Sequence, residues 1–306
     1  MAAIPRVIYT FWDERPLPRV VNLCVDSMVR QNPGWGVVVL TRVDVAALLP
    51  PPGVAALSSQ ALSDWVRLAV LSERGGVWLD STCMCTASVE RWVDLTSARV
   101  QGFDCPLHLA CLESWAFACP VRNPLVCAWR REFEVAIATG FEAYKQSAAV
   151  RRHVLEQSAA LHNALPYLTI HAAFMVVHVP GDARLHSSTA DTGPFFYLAQ
   201  AQWDSRRGVE HLAALPWSDE APLVKFRGAE RAPLEQCIDR AAYLPGGLLD
   251  RGLALGASPP APCPLRAAWG GPGAGGGAGL ACLVLALLVA LLVARCRAGR
   301  AGRRGR

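Results

Sequence analysis

Three side chains suited to holding a polar ligand stand within Leu62–Thr86, LSDWVRLAVLSERGGVWLDSTCMCT, at spacings that a helix and a strand bring together: Asp64, Arg67 and Asp80. Asp80 closes the short apolar run Val77–Asp80, so it marks the carboxyl end of a buried strand. Ligands of open α/β sheets bind just outside such strand ends, and a carboxylate there outlines a polar pocket. Asp64 and Arg67 are three apart on the preceding helix and lie on one side of it. Taken alone, that pair also reads as a surface ion pair worth under ~1 kcal/mol. Gly75 and Gly76 separate helix from strand and let the chain turn at little steric cost.

The elements that must position these residues follow from periodicity. Val7–Phe11 and Gly36–Leu40 are short β-branched runs, and a helical stretch from about Pro18 to Gln31 separates them, which makes a β-α-β opening. Val43–Leu49 reads as a short helix ended by Pro50, Pro51 and Pro52. A long helix then begins at Ser58, with Leu62, Trp65, Val66, Ala69 and Val70 on its core face. Beyond Asp80 lie ESWAFA (Glu113–Ala118), a helix near Pro124–Thr139 and helical stretches around Arg151–Leu161. Thr192–Trp203 reads as a turn opening a helix with Pro194 in its first turn. Pro222–Gly228, PLVKFRG, reads as a late strand, and its Lys225 could meet a phosphate, although a lone lysine on a late strand is usually solvated.

Composition narrows the function classes. The formal charge of +5 is misleading, because six arginines between Arg295 and Arg306 leave the rest of the chain at −1. A nearly neutral body carries no nucleic-acid footprint. The eleven cysteines include no C-x-x-C pair, so buried reduced thiols are expected rather than a zinc knuckle. The seven histidines show no metal-ligand spacing, and there is no P-loop or nucleophile elbow.

The other end is distinct. Residues 256–278 form a Pro/Gly/Ala-rich linker, 279–295 an apolar span and 296–306 an Arg-rich tail, so a folded domain is expected over 1–255. Leu280–Ala294 spans ~22 Å as a helix, and the Gly/Ala residues before it extend that toward ~30 Å, as a single membrane anchor requires. Met1 runs within a few residues into a plausible first strand, with no secretory leader. That favours a cytosolic body with the tail sent across, whereas the positive-inside tendency would hold the arginines on the cytosolic side. A cytosolic, membrane-anchored body is the expectation.

Four stretches together resemble capsular polysaccharide synthesis glycosyltransferases, which are related to the sugar transferases with an Asp-x-Asp motif. They are IPRVIYTFWDERPLPRVVNLCVDSMVRQNPGW, LSDWVRLAVLSERGGVWLDST, ESWAFA and PLVKFRG, and they span most of Ile4–Gly228. The resemblance implies a GT-A-like α/β fold: a nucleotide-sugar-binding, Rossmann-like mixed sheet with flanking helices, here followed by the C-terminal transmembrane helix. It implies transfer of a sugar from a nucleotide-sugar donor to a glycan or lipid-linked acceptor.

Residue roles follow from the same resemblance. Trp12, supported by Phe11, would stack on the donor base. Asp64 and Arg67 would meet sugar hydroxyls and the diphosphate side, and Gly75 and Gly76 would belong to the donor site or serve the turn alone without touching the donor. Asp80 would hold a divalent cation, Mn²⁺ or Mg²⁺, with Thr82 in the place of the second aspartate of Asp-x-Asp. That place has lost its carboxylate, which leaves open weaker metal binding through Asp80 or cation-independent stabilisation by Arg67 and another basic residue. Glu113 is the candidate general base if transfer inverts; a retaining transfer needs none. The turn Thr192–Pro194 would face the diphosphate with backbone N–H groups. The competing class is a catalytically degenerate nucleotide-sugar or glycan-binding protein of the same fold, and a third is a membrane scaffold that uses only the anchor.

Overall fold

Strand β1 (Val7–Phe11), helix α1 (Arg19–Gln31) and strand β2 (Gly36–Leu40) form the expected β-α-β opening. The two strands are β-branched and aromatic, and they pair in parallel from Val7 opposite Gly36 to Phe11 opposite Leu40. Val20, Val21, Cys24, Val25 and Met28 make the buried stripe of α1. The helix ends at Asn32, whose side-chain N–H donates to the Met28 carbonyl at 2.8 Å while its Oδ1 accepts from the Val89 N–H at 2.8 Å. The computed structural model describes residues 3–104, 111–152, 168–178, 185–190 and 192–255. All of them fall within one unit, Met1–Arg266. The linker, apolar span and Arg-rich tail expected from 256 onward lie outside the described residues, as does most of the helical stretch expected around Arg151–Leu161. No helix among the described residues is long and apolar enough to cross a membrane.

Helix α2 (Ser59–Arg74) starts where the Ser58 hydroxyl accepts from the Ala61 N–H and stops at Gly75, whose N–H donates to the Leu71 carbonyl at 2.9 Å. Gly75 and Gly76 have φ of 62° and 104°. A Cβ on Gly75 would stand 2.6 Å from the Val121 nitrogen, and one on Gly76 2.7 Å from the Val7 carbonyl oxygen. Only glycine allows α2 to turn straight into strand β3 (Gly76–Leu79) with the backbone this close to its neighbours.

Four further strands follow before the last: β4 (Cys83–Cys85), β5 (Val100–Asp104), β6 (Leu112–Cys119) and β7 (Leu185–Thr189); β8 (Leu223–Lys225) is the last. The main sheet is mixed, in the order β2-β1-β3-β6-β5-β7, and β4 and β8 form a separate antiparallel ribbon. Helix α3 (Pro124–Thr139) packs with α2 and with the helix Thr169–Val177, and Trp65, Trp78, Trp129, Phe117 and Phe174 fill the interior. The architecture is thus mixed α/β with flanking helices. Cys24, Cys83, Cys85 and Cys119 are fully buried free thiols. Burial pushes all four upward, Cys85 to about 12, so they are inert core groups.

Candidate functional site

Strand direction gathers the site on one rim. β1 and β3 run in parallel and β6 runs against β3, so the carboxyl ends of β1 and β3 meet the start of β6. Trp12 follows β1, Asp80 follows β3, and Glu113 and Ser114 open β6. The Asp80 N–H continues the ladder to the Trp115 carbonyl at 2.8 Å, and its own carbonyl accepts from the Cys83 N–H at 2.9 Å. The side chain is thereby turned off the sheet into a cavity of about 1270 Å³. That cavity is lined by Phe11, Trp12, Asp64, Arg67, Asp80, Thr82, Glu113, Lys225 and others.

A buried charge cluster forms its floor. Arg67 approaches Asp64 Oδ1 at 3.0 Å and Asp80 Oδ1 at 3.3 Å through Nη2. It also donates to the Ser114 hydroxyl at 2.8 Å and to the Ser63 carbonyl at 3.2 Å. Nearly all its N–H groups are therefore taken by the protein, and Arg67 orients two carboxylates rather than presenting a free fork to a diphosphate. The surface-pair alternative for Asp64 and Arg67 is corrected as well, since both are buried, at 7% and 4% exposure. Burial raises the Asp64 carboxyl to about 6, with Arg67 and His171 drawing it down and Asp80 adding to the rise. Burial would also raise Asp80, but Lys225 and Arg67, with hydrogen bonds from Lys225 and Trp78, hold it below the usual range.

Lys225 is the residue that sequence reasoning missed. It is 7% exposed, not solvated. Its Nζ donates to Asp80 Oδ2 at 2.8 Å and to the Thr82 hydroxyl at 2.9 Å. The β4–β8 ribbon sets it there by pairing Lys225 with Cys83, and the Phe226 N–H donates to the Thr82 carbonyl at 3.0 Å. One signal existed, because Lys225 is one of only two lysines in an arginine-rich chain.

The walls differ in character. Trp12 is half-buried beside buried Phe11, with the Arg231 guanidinium 5.7 Å from its ring centre. Across the mouth, Arg227 lies 5.4 Å from the Trp203 ring centre. Glu113 is buried, with Oε2 3.5 Å from Nε2 of His171, which the helix Thr169–Val177 carries into the cavity lining. No spacing rule pointed to His171.

Two expected contributors are not brought to the cavity. Gly75 and Gly76 stand at the opposite end of β3 from Asp80, roughly 13 Å away at ~3.3 Å per residue, and act through the turn. The turn Thr192–Pro194 uses its groups internally: Gly193 N–H donates to the Thr189 carbonyl, Phe196 N–H to the Gly193 carbonyl, and the Pro194 carbonyl accepts from the Lys225 N–H. The turn therefore braces β8 instead of facing a ligand, and Phe195 just after it lines the cavity.

The donor set does not fit Mn²⁺ or Mg²⁺ as expected at Asp80 and Thr82. Asp80 Oδ1 accepts from Trp78 Nε1 at 3.0 Å and meets Arg67, and Oδ2 accepts from Lys225. The Thr82 hydroxyl donates to the Phe226 carbonyl at 2.7 Å and accepts from Lys225. Among the described residues, no group of three or more His, Cys, Asp or Glu side chains is placed to hold a metal ion. Hard divalent cations need several oxygen ligands, whereas here one carboxylate already engaged by Trp78, Arg67 and Lys225 stands beside a neutral hydroxyl bonded on both sides.

The first third of the chain is similar to a known family. Residues 2–103 match the family model described as "Capsular polysaccharide synthesis protein". The resemblance read from the opening strand-helix unit and the LSDWVRLAVLSERGGVWLDST block therefore holds over that stretch, which stops short of ESWAFA and PLVKFRG. Among solved structures, one similar chain is titled "PaToxG Glycosyltransferase", at 15% identity over 58% of this chain and 79% of that one, with a TM-score of 0.36. No curated protein matches.

Proposed function

We propose that this chain is a glycosyltransferase with a GT-A-like site, moving a sugar from a nucleotide-sugar donor to a glycan or lipid-linked acceptor. The observation that carries the reading is the convergence of Asp64, Arg67 and Asp80 at the carboxyl rim of a mixed sheet, on a cavity large enough for a nucleotide sugar. The family match over residues 2–103 supports it. The half-buried face of Trp12 suits a flat nucleobase, with Arg231 able to sandwich it or yield to it. Asp64, once ionised, accepts from sugar hydroxyls. Lys225, with Arg227 and Arg231 nearer the mouth, supplies positive charge for the diphosphate. Glu113 is the base candidate for an inverting transfer, while a retaining transfer leaves it to orient the acceptor.

The apolar run Leu280–Ala294 supports an anchor that holds the body at a membrane bearing the acceptor, on the cytosolic side in our reading. Protease protection in sealed vesicles tests that orientation; digestion of the body only after lysis reverses it. One observation favours the competing reading of a binding protein without turnover, namely that both Asp80 oxygens are already bonded within the protein. Nucleotide release separates the two. The full chain in detergent is expected to liberate nucleotide from at least one common sugar donor. No release from any donor, with Mn²⁺, Mg²⁺ or chelator, by protein that still binds nucleoside diphosphate would establish the binding reading.

A further inference from the structure

We infer that the Lys225 ammonium is the resident cation of this site, occupying the bridging position between Asp80 and Thr82 that a divalent metal ion would need, so that a departing diphosphate is met by a side chain. The identity of the departing group rests on the transferase reading. The occupancy of the position does not, because it follows from distances alone.

Nζ of Lys225 stands 2.8 Å from Asp80 Oδ2 and 2.9 Å from Thr82 Oγ1. Mg²⁺ binds oxygen at about 2.0–2.1 Å, so an ion bridging the same two atoms would overlap the ammonium. The ammonium has no easy retreat. Its strand neighbour Phe226 and its cross-strand partner Cys83 are both fully buried, and the Lys225 backbone is fixed by its N–H to the Pro194 carbonyl and its carbonyl to the Tyr197 hydroxyl. Burial alone would favour the neutral amine, but Asp80 outweighs it and keeps the charge. The other carboxylate on the Arg67 guanidinium, Asp64, is engaged there through Oδ1.

An ammonium has three N–H donors, and two are engaged here, leaving one for a ligand in the cavity that Lys225 lines. During transfer, the bond between the anomeric carbon and the diphosphate oxygen breaks and its electron pair stays on that oxygen. The acceptor hydroxyl oxygen bonds to the same carbon, and its proton passes to a base. Lys225 keeps its own protons throughout and strengthens one charge-assisted hydrogen bond to the oxygen that gains charge.

The test uses the full chain in detergent and two readouts. Manganese uptake is followed by the resonance signal of free Mn²⁺, and UDP and GDP binding by calorimetry in chelator. Wild type is expected to leave Mn²⁺ free, whereas Thr82→Asp combined with Lys225→Ala vacates the position and takes up about one ion per chain. Uptake of one Mn²⁺ by wild type, lost in Asp80→Asn, overturns the inference. At least one nucleoside diphosphate is expected to bind wild type in chelator, about tenfold or more weakly to Lys225→Met, and with partial recovery in Lys225→Arg. Unchanged binding in Lys225→Met also overturns it. If wild type excludes Mn²⁺ and binds neither nucleotide, the resident cation stands and the transferase reading falls.

Discussion

The floor and the mouth of the cavity are built on opposite principles. On the floor, Asp64, Arg67 and Lys225 are buried and Asp80 is half-buried, and the four are bonded to one another, to Ser63, Ser114 and Thr82, and to Trp78. At the mouth, Arg231 rests over Trp12 and Arg227 over Trp203, which is 37% exposed. Exposed cation–aromatic contacts are worth only ~0.5–1 kcal/mol and give way readily. The floor is therefore set before any ligand arrives, as electrostatic preorganisation requires. At the mouth, Arg231 over Trp12 can exchange its contact for a ligand's, whereas Arg227 is also held by buried Glu230 and by Ser205. In the proposed transferase, chemistry falls to the first region and selection to the second.

Breaking the floor should do the most damage. Arg67→Ala strands the buried Asp64 carboxylate and leaves Asp80 to Lys225 alone, and is expected to destabilise the fold by about 3–5 kcal/mol, with a matching fall in Tm and no nucleotide release. A stable variant with intact release would mean the floor is not cooperative. Asp80→Asn keeps the shape and removes the charge opposite Lys225, so release should fall about 100-fold or more while the chain still folds. Wild-type rates would remove Asp80 from the chemistry.

The mouth predicts the reverse pattern. Trp12→Ala should weaken nucleotide binding by ~1–3 kcal/mol in calorimetry with little change in Tm, and a large loss of stability would return Trp12 to the core. Asp64 sharpens the contrast through pH. Its carboxyl, raised to about 6, holds a proton more tightly in the folded than in the unfolded chain, so its contribution to stability declines as pH rises from the ordinary carboxylate range through about 6. Donor binding should rise over the same window as the acceptor oxygen ionises, and Asp64→Asn should flatten both profiles. Arg231→Ala is the smallest change, under ~1 kcal/mol in affinity and none in Tm.

Much of the floor was legible because it is local. The β-branched runs at Val7–Phe11 and Gly36–Leu40, the Ser58 cap and the apolar stripe of α2 set their elements to within about a residue. The Asp64–Arg67 spacing then required a shared helix face. What escaped notice came from far along the chain. Lys225 sits on a three-residue strand whose partner, Cys83–Cys85, has no periodicity of its own, so nothing nearby marked it as buried. His171 comes from an apolar helix that meets Glu113 only through tertiary packing. The turn Thr192–Pro194 looked suited to an anion, yet its Gly193 N–H donates to the Thr189 carbonyl and Pro194 has no N–H to give. Short-range pattern locates carboxylates on a helix and a strand end; it does not reveal which distant cation neutralises them.

The separation of 145 positions between Asp80 and Lys225 also bears on how the protein is made. A ribosome exposes the aspartate long before its counter-ion has been synthesised. Until β8 docks, the nascent chain carries an acid with one of its two cationic partners missing, so the first strands can assemble early while the pocket matures only once Lys225 has been made.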